Sequence, residues 1–366
     1  MNTQKGHGRE IAVLLNENAR KVGRRVKKAI LKAYPKVHLY TSRTLDEAKA
    51  KVRELLHKGY ERVMCGGGDG TLVSFFSHMK EHMDEWYRRW GEKMKPPRIG
   101  ILGLGTGNGC ASSFGATNWK GVMSRLEDDD YSLTPLHLIE SEGMLFPFAG
   151  LGWDAAILNN YIETLKRYEG TRWEKWAKSL IGYLHAVFVK TVPRELFRRD
   201  PVWCRVMNRG DEVYLASHRR GIQPLPVGRG QTLYEGPMKI IMVGTTEFYG
   251  FNLKVLPFSR AKQGLFQLRI GHVSPVSVLI RIGALWRGTI ELDGIYDYLV
   301  KDVEITLSRP TPYQVGGDAM GYRTQLRFRT SDLVVELMDF RKPLEEREPE
   351  LIDEAHDMGT VCCVGV

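Results

Sequence analysis

Two hydrophobic periods alternate along the first third of the chain and predict alternating strands and helices. The run Ile11-Ala12-Val13-Leu14-Leu15 is continuously apolar, so residues 10–15 are expected as a short buried strand. A polar turn follows, then a basic amphipathic helix from about Ala19 to Ala33, then a second strand at Val37-His38-Leu39-Tyr40. Thr44, with Glu47 three residues on, has the form of a helix capping box. Behind it Leu45, Ala48, Val52, Leu55 and Leu56 keep helical spacing until Gly59. Arg62-Val63-Met64-Cys65 is the third strand, and a helix from Leu72 to about Met83 comes next. After a break at Pro96-Pro97, Ile99-Gly100-Ile101-Leu102 is the fourth strand. This alternation implies a parallel α/β sheet over residues 1–137.

Beyond His137 the period shortens. Strand-like runs at 144–150, 202–206, 212–217, 238–244, 265–270, 302–307 and 324–329 are separated by turn residues. That is the pattern of an antiparallel β domain, expected over 138–343. A helical insertion at about 155–192 interrupts it. There Trp173, Trp176, Leu180, Leu184 and Val187 follow helical spacing, Arg172, Lys175 and Lys178 lie off the stripe, and Pro193 ends the pattern. Residues 344–366 are acidic with little apolar periodicity and read as a loose tail.

Composition narrows the class. A chain of 366 residues suggests about two domains. With 43% hydrophobic and 26% charged residues it is neither disordered nor collagen-like. Five cysteines are too few for a disulfide-stapled module, and none has metal-ligand spacing. Reduced thiols in a cytoplasm-like compartment are expected. The N-terminus is polar, and no stretch approaches the roughly 20 apolar residues of a membrane span, so the cytoplasm is expected, with peripheral membrane contact as an alternative. The net charge is +10, and residues 165–220 hold thirteen basic against six acidic side chains, interleaved with aromatics. Such a patch suits an anionic membrane or nucleic acid; a solvated helix face over an ordinary core is the competing reading.

The unit strand–Gly66-Gly67-Gly68-Asp69-Gly70-Thr71–helix carries the most chemistry. Glycines let backbone amides approach an anion closely, and Thr71 adds a hydroxyl. Asp69 would repel phosphates unless a cation intervenes, so it either holds a metal beside them or acts on an attacking hydroxyl. The loop is neither GxxxxGK[ST] nor GxGxxG. A second loop, Leu104-Gly105-Thr106-Gly107-Asn108, follows the fourth strand at the edge where ligands collect in open α/β sheets. After the first strand, Asn16 to Arg20 form a third element. Arg20 or Lys21 there could neutralise phosphate charge, or simply be solvated in a surface turn.

These residues resemble the catalytic domain of diacylglycerol kinases, sphingosine kinases and related bacterial lipid kinases. The resemblance is carried by GGGDGT at 66–71, LGTGN at 104–108, Gly150 to Ala155, the stretch from Tyr249-Gly250 through Pro257 to Gly264-Leu265, and Gln314-Val315-Gly316-Gly317-Asp318. It implies an α/β plus all-β protein. A Rossmann-like domain akin to phosphofructokinases and NAD kinases would precede a β-sandwich with a helical insertion, with ATP between them. It further implies Asn16, Thr41, Gly67, Gly68, Asp69, Gly70, Thr71 and Thr106 at the nucleotide, joined in our reading by Arg20, Gly66, Gly105, Gly107 and Asn108. It places Asp154 at the substrate's polar head. Where the family usually reads Asp-Gly-Glu, this chain has Gly316-Gly317-Asp318, so Asp318 becomes the candidate base on the lipid hydroxyl. Gly109 replaces an aspartate, and Lys262-Gln263-Gly264 lacks the acids that hold a structural magnesium in bacterial members.

The expected function is transfer of the γ-phosphate of ATP to a lipid hydroxyl, with ATP and Mg²⁺ as cofactors and Asp69 and Asp318 as catalytic residues. A kinase for a soluble substrate such as NAD and a non-catalytic nucleotide- or lipid-binding regulator are the alternatives. Expected partners are the lipid and a membrane surface, with a homodimer allowed and no nucleic acid.

Overall fold

The computed structural model describes residues 10–172 and 201–341. Four parallel strands open the fold: β1 (Ile11–Asn16), β2 (His38–Ser42), β3 (Arg62–Gly67) and β4 (Arg98–Gly103), in the order β2-β1-β3-β4. The apolar runs of β1, β3 and β4 are buried on both sheet faces, whereas β2 at the edge is mostly half-buried. Helix α1 (Arg24–Ala33) starts five residues later than its periodicity suggests. The preceding residues form a turn instead, held by Ala19 N–H to Asn16 and Lys21 N–H to Leu104 carbonyls. Helix α2 (Leu45–His57) begins as expected, with Thr44 Oγ1 accepting from Glu47 N–H; the Glu47 carboxylate accepts from Arg43 N–H. Helix α3 (Asp69–Trp90) starts inside the glycine loop and runs past Met83 to Gly91, which ends it in a left-handed conformation.

After α4 (Gly109–Ser113) and α5 (Trp119–Glu127), antiparallel strands dominate. They are β5 (Ser132–Ser141), β6 (Met144–Phe146), β7 (Phe148–Gly152), β8 (Val202–Asn208), β9 (Val213–Ser217), β10 (Gly221–Pro224), β11 (Thr232–Met238), β12 (Ile240–Gly244), β13 (Phe266–Gly271), β14 (Ile295–Val300), β15 (Asp302–Val315) and β16 (Asp318–Asp339). Helix α6 (Trp153–Tyr168) follows β7, and α7 (Pro275–Ile280) and α8 (Ile282–Arg287) lie between β13 and β14. The Trp173/Trp176 stripe and the acidic tail lie outside the described residues.

Two main cores result. One packs β1–β4 with α1–α5; the other fills the antiparallel strands. The long β16 joins them: Leu326 and Phe328 belong to the second core, Val335, Leu337, Met338 and Phe340 to the first. Leu337 meets Ile99 of β4 in parallel register, so the C-terminal part of β16 extends the parallel sheet beyond β4. This ties the two halves across the cleft between them. No helix among the described residues is long and apolar enough to cross a membrane.

Candidate functional site

Two cavities meet where the C-terminal ends of β1, β3 and β4 face the antiparallel strands. The first, about 610 Å³, is the more polar of the two and is bounded by Asn16, Arg20, Arg43, Thr71, Gly105 and Thr106, with Asn18, Ser42 and Ser74 adding polar groups. The second, about 450 Å³, is walled by apolar side chains from α6, β12, α7 and α8, among them Ile157, Met242, Val278 and Leu285. Gly68, Gly70, Thr106, Tyr161 and Asp318 line both.

The two glycine loops touch. A Cβ on Gly105 would lie 2.4 Å from the Gly68 Cα, so only glycine permits the contact. Gly67 carbonyl accepts from both Leu104 and Gly105 N–H, locking the second loop onto the first. Gly68 caps α3 without a side chain, so the first turn of this helix opens onto the cleft with its amides and positive dipole end. Thr71 Oγ1 accepts from Asn16 Nδ2 at 3.0 Å, which fixes both side chains on the cleft wall.

Asp69 does something narrower than its sequence setting suggests. Its Oδ2 accepts from Gly109 N–H at 3.0 Å and its Oδ1 from Cys110 N–H at 2.9 Å, so both oxygens are held by the first turn of α4. Burial pushes its pKa up and these amides pull it down. A carboxylate engaged in this way positions the second loop, and each of its oxygens keeps a further acceptor site while Asp69 lines the second cavity. Among the described residues no three His, Cys, Asp or Glu side chains cluster as metal ligands.

Asp318 is the carboxylate that opens onto the junction. It follows a two-residue hairpin turn in which Gly316 (φ +55°) and Gly317 (φ +83°) both have positive φ, the conformation that selects glycine pairs. The turn brings Asp318 against Gly70, whose Cβ, if present, would lie 2.0 Å from Asp318 Oδ2. The surrounding walls push its pKa above the ordinary aspartate value. Beside it, Gln314 Oε1 accepts from Gly317 N–H while its Nε2 donates to Asp154 Oδ2 at 2.6 Å. Burial raises Asp154 to a pKa of about 6, against a lowering by Gln314. Asp154 thus faces the apolar cavity as a polar group tuned near neutrality.

Of the residues expected from sequence, Asn16, Arg20, Gly68, Gly70, Thr71, Gly105, Thr106 and Asp318 line the polar cleft. Asp69, Gly107 and Asp154 line the apolar cavity. Four of the expected residues, Thr41, Gly66, Gly67 and Asn108, line neither cavity. Thr41 lies off both cavities because strand alternation turns its neighbour Ser42 to the cleft instead. Gly66 packs under Leu15 and Gly67 against Thr71, giving each a steric reason without ligand contact. Asn108 is buried as a loop staple, accepting from Gly105 N–H and donating to the Gly103 and Gly105 carbonyls. Sequence reasoning missed Arg43, Ser42, Tyr161 and Arg269. Arg43 lies on the cleft rim and pairs with Glu17, whose pKa it and Lys27 hold down to about 2.

Residues 10–129 match the diacylglycerol kinase catalytic domain family. Comparison with curated proteins found no match. Among solved structures, a "putative diacylglycerol kinase" from Bacillus anthracis str. Sterne is 14% identical with a TM-score of 0.59, covering 90% of this chain and 98% of its own. A diacylglycerol kinase from the same organism is 13% identical with a TM-score of 0.54, covering 92% and 98%. At these identities the likeness concerns the fold: an α/β unit followed by an antiparallel strand-rich region.

Proposed function

We propose, from the match of residues 10–129 to the diacylglycerol kinase catalytic domain family, that this protein transfers the γ-phosphate of ATP to a lipid hydroxyl. The junction of two unlike cavities over Asp318 is the observation that carries this reading. A polar cleft at a helix N-terminus suits a polyphosphate, and an apolar cavity suits acyl chains. A soluble acceptor such as NAD would leave the apolar cavity without an occupant, and a non-catalytic regulator would leave Asp318 without a task.

In this account Thr71, Thr106 and the first turn of α3 hold the phosphates, and Arg20 offsets their charge. Asp318 accepts the hydroxyl proton as the new O–P bond forms and the bond to ADP breaks. A raised pKa makes it a stronger base than an ordinary aspartate. Asp154 and Gln314 orient the acceptor, and Asp69 keeps the second loop in place. Most of the rate then comes from positioning and charge neutralisation. Magnesium would supply part of that neutralisation. The donor set fits an ion that arrives on the nucleotide, since among the described residues no three His, Cys, Asp or Glu side chains cluster to hold one. The α7 and α8 walls also present the exposed Val276 and Ile280 beside Arg281, a surface suited to an anionic bilayer.

The test offers the purified protein γ-labelled ATP, Mg²⁺ and either lipid-bearing mixed micelles or NAD. Label in the lipid fraction is expected. Label in NAD alone, or none while ATP binds, would overturn the reading.

A further inference from the structure

The apolar cavity holds one charged group that the phosphoryl-transfer account leaves unused. Arg269 on β13 lies directly across from Asp297 on β14, and both are more than nine-tenths buried. Arg269 Nε donates to Asp297 Oδ1 at 2.7 Å and its Nη2 to Oδ2 at 2.8 Å. Gln267 Nε2 donates to Oδ1 as well, at 2.7 Å. Both carboxylate oxygens are therefore engaged, by three donors in all. The guanidinium is not fully engaged, because Arg269 Nη1 is buried with no partner. A guanidinium has five N–H donors, and the two on Nη1 are left over. Arg269 lines the cavity next to Met242, its partner on β12.

A buried donor without an acceptor is a cost that proteins seldom carry without a use. The charge of Arg269 is already balanced by Asp297, so the spare donors suit a neutral oxygen better than a second anion. We infer that Arg269 Nη1 forms a subsite for an acyl carbonyl oxygen of the lipid, on the same molecule whose hydroxyl meets Asp318. This rests on the lipid reading of the cavity and narrows it: the lipid carries an ester or amide carbonyl, and a chain without one leaves Arg269 unsatisfied. An isolated buried cation would have drawn in a carboxylate or phosphate. The fixed Arg269–Asp297 pair instead presents a preorganised, nearly neutral donor pair in apolar surroundings, where a single hydrogen bond discriminates strongly.

The test reads binding separately from turnover. Trp153 and Trp286 line the same cavity, so tryptophan fluorescence of the full chain reports occupancy. Two matched pairs of short-chain lipids are titrated: a diacylglycerol against its dialkyl ether, and an N-acyl sphingoid against the free sphingoid base. Label transfer from γ-labelled ATP is followed in parallel. The carbonyl member of at least one pair is expected to bind about tenfold more tightly or better, and the pair that shows this names the source of the carbonyl. In Arg269→Met/Asp297→Asn, which leaves Gln267 an acceptor, that ratio falls to about one while thermal melting confirms the fold. Equal binding within both pairs in the wild type overturns the subsite, and so does a preference that survives in the double variant. Selective binding without label transfer supports the subsite and overturns the kinase reading. No fluorescence response to any lipid overturns both.

Discussion

Asp154→Asn tests the electrostatics of the cavity with a worked sign. Asp154 has a pKa of about 6 in the folded chain against an ordinary value of 3.8, because burial disfavours its charged form. A carboxyl whose folded pKa is raised binds more protons in the native than in the unfolded state between those two values. Its penalty is therefore absent well below pH 4, grows through the window, and is complete above pH 6. About two pKa units correspond to about 3 kcal/mol at pH 8 and about 1.5 kcal/mol at pH 5. These are upper values, since Asp154 faces an open cavity. Asparagine cannot ionise, and its Oδ1 can still accept from Gln314 Nε2. The variant should thus be more stable than the wild type, by a margin that widens from pH 5 to pH 8, while losing acceptor orientation. Urea unfolding of both proteins at the two pH values measures the margin, and all other titrating groups cancel in the difference. A variant equally or less stable at pH 8, or a margin that does not change with pH, would refute the reasoning.

Three further outcomes follow from the geometry. Gly70→Ala places a Cβ 2.0 Å from Asp318 Oδ2, so it should displace that carboxylate and lower label transfer by about 10²-fold with little change in melting temperature; near-normal transfer would contradict the placement. Asn108→Ala removes three hydrogen bonds inside the second loop and leaves a left-handed residue (φ +54°) without its side-chain anchor. It should lower unfolding free energy by about 2–4 kcal/mol, and an unchanged denaturant midpoint would show that the staple is dispensable. Cys65, Cys110 and Cys204 are buried, and burial pushes Cys65 and Cys204 up to about 12 and Cys110 well above its usual range. Mapping of thiol labelling at pH 8 should find all three protected in the native state, and rapid labelling of Cys110 would mean that α4 opens.

The parallel half of the fold was legible because both sheet faces are buried, which leaves unbroken apolar runs such as Ile11–Leu15. Thr44 announced its helix through local capping chemistry. The second half hid where function intrudes on patterning. Strand β14 puts Asp297 at an inward position and β13 puts Gln267 and Arg269 there, so neither shows simple alternation. Strand β5 was not among the runs read from the sequence, because its first residues are exposed and only its later ones enter a core. At the site, glycine spacing located both loops but could not tell the purposes of their members apart. Gly66 serves packing, Gly105 serves loop contact, and Gly68 serves the cleft. The partners of Asp69, the amides of Gly109 and Cys110, were not legible because they lie forty residues on and belong to an element too short to stand out in the sequence. Asp318 was legible only through the family resemblance; the Gly316-Gly317 pair before it, which builds a hairpin turn, was not read as one.

The central claim is that Asp318, at the junction of the two cavities, takes the proton from a lipid hydroxyl. Asp318→Asn, assayed with γ-labelled ATP and lipid micelles beside the wild type, tests it most directly, with ATP binding measured by calorimetry on the same samples. The account predicts retained ATP binding and label transfer lower by about 10²–10⁴-fold. Transfer within a few-fold of the wild type would contradict it.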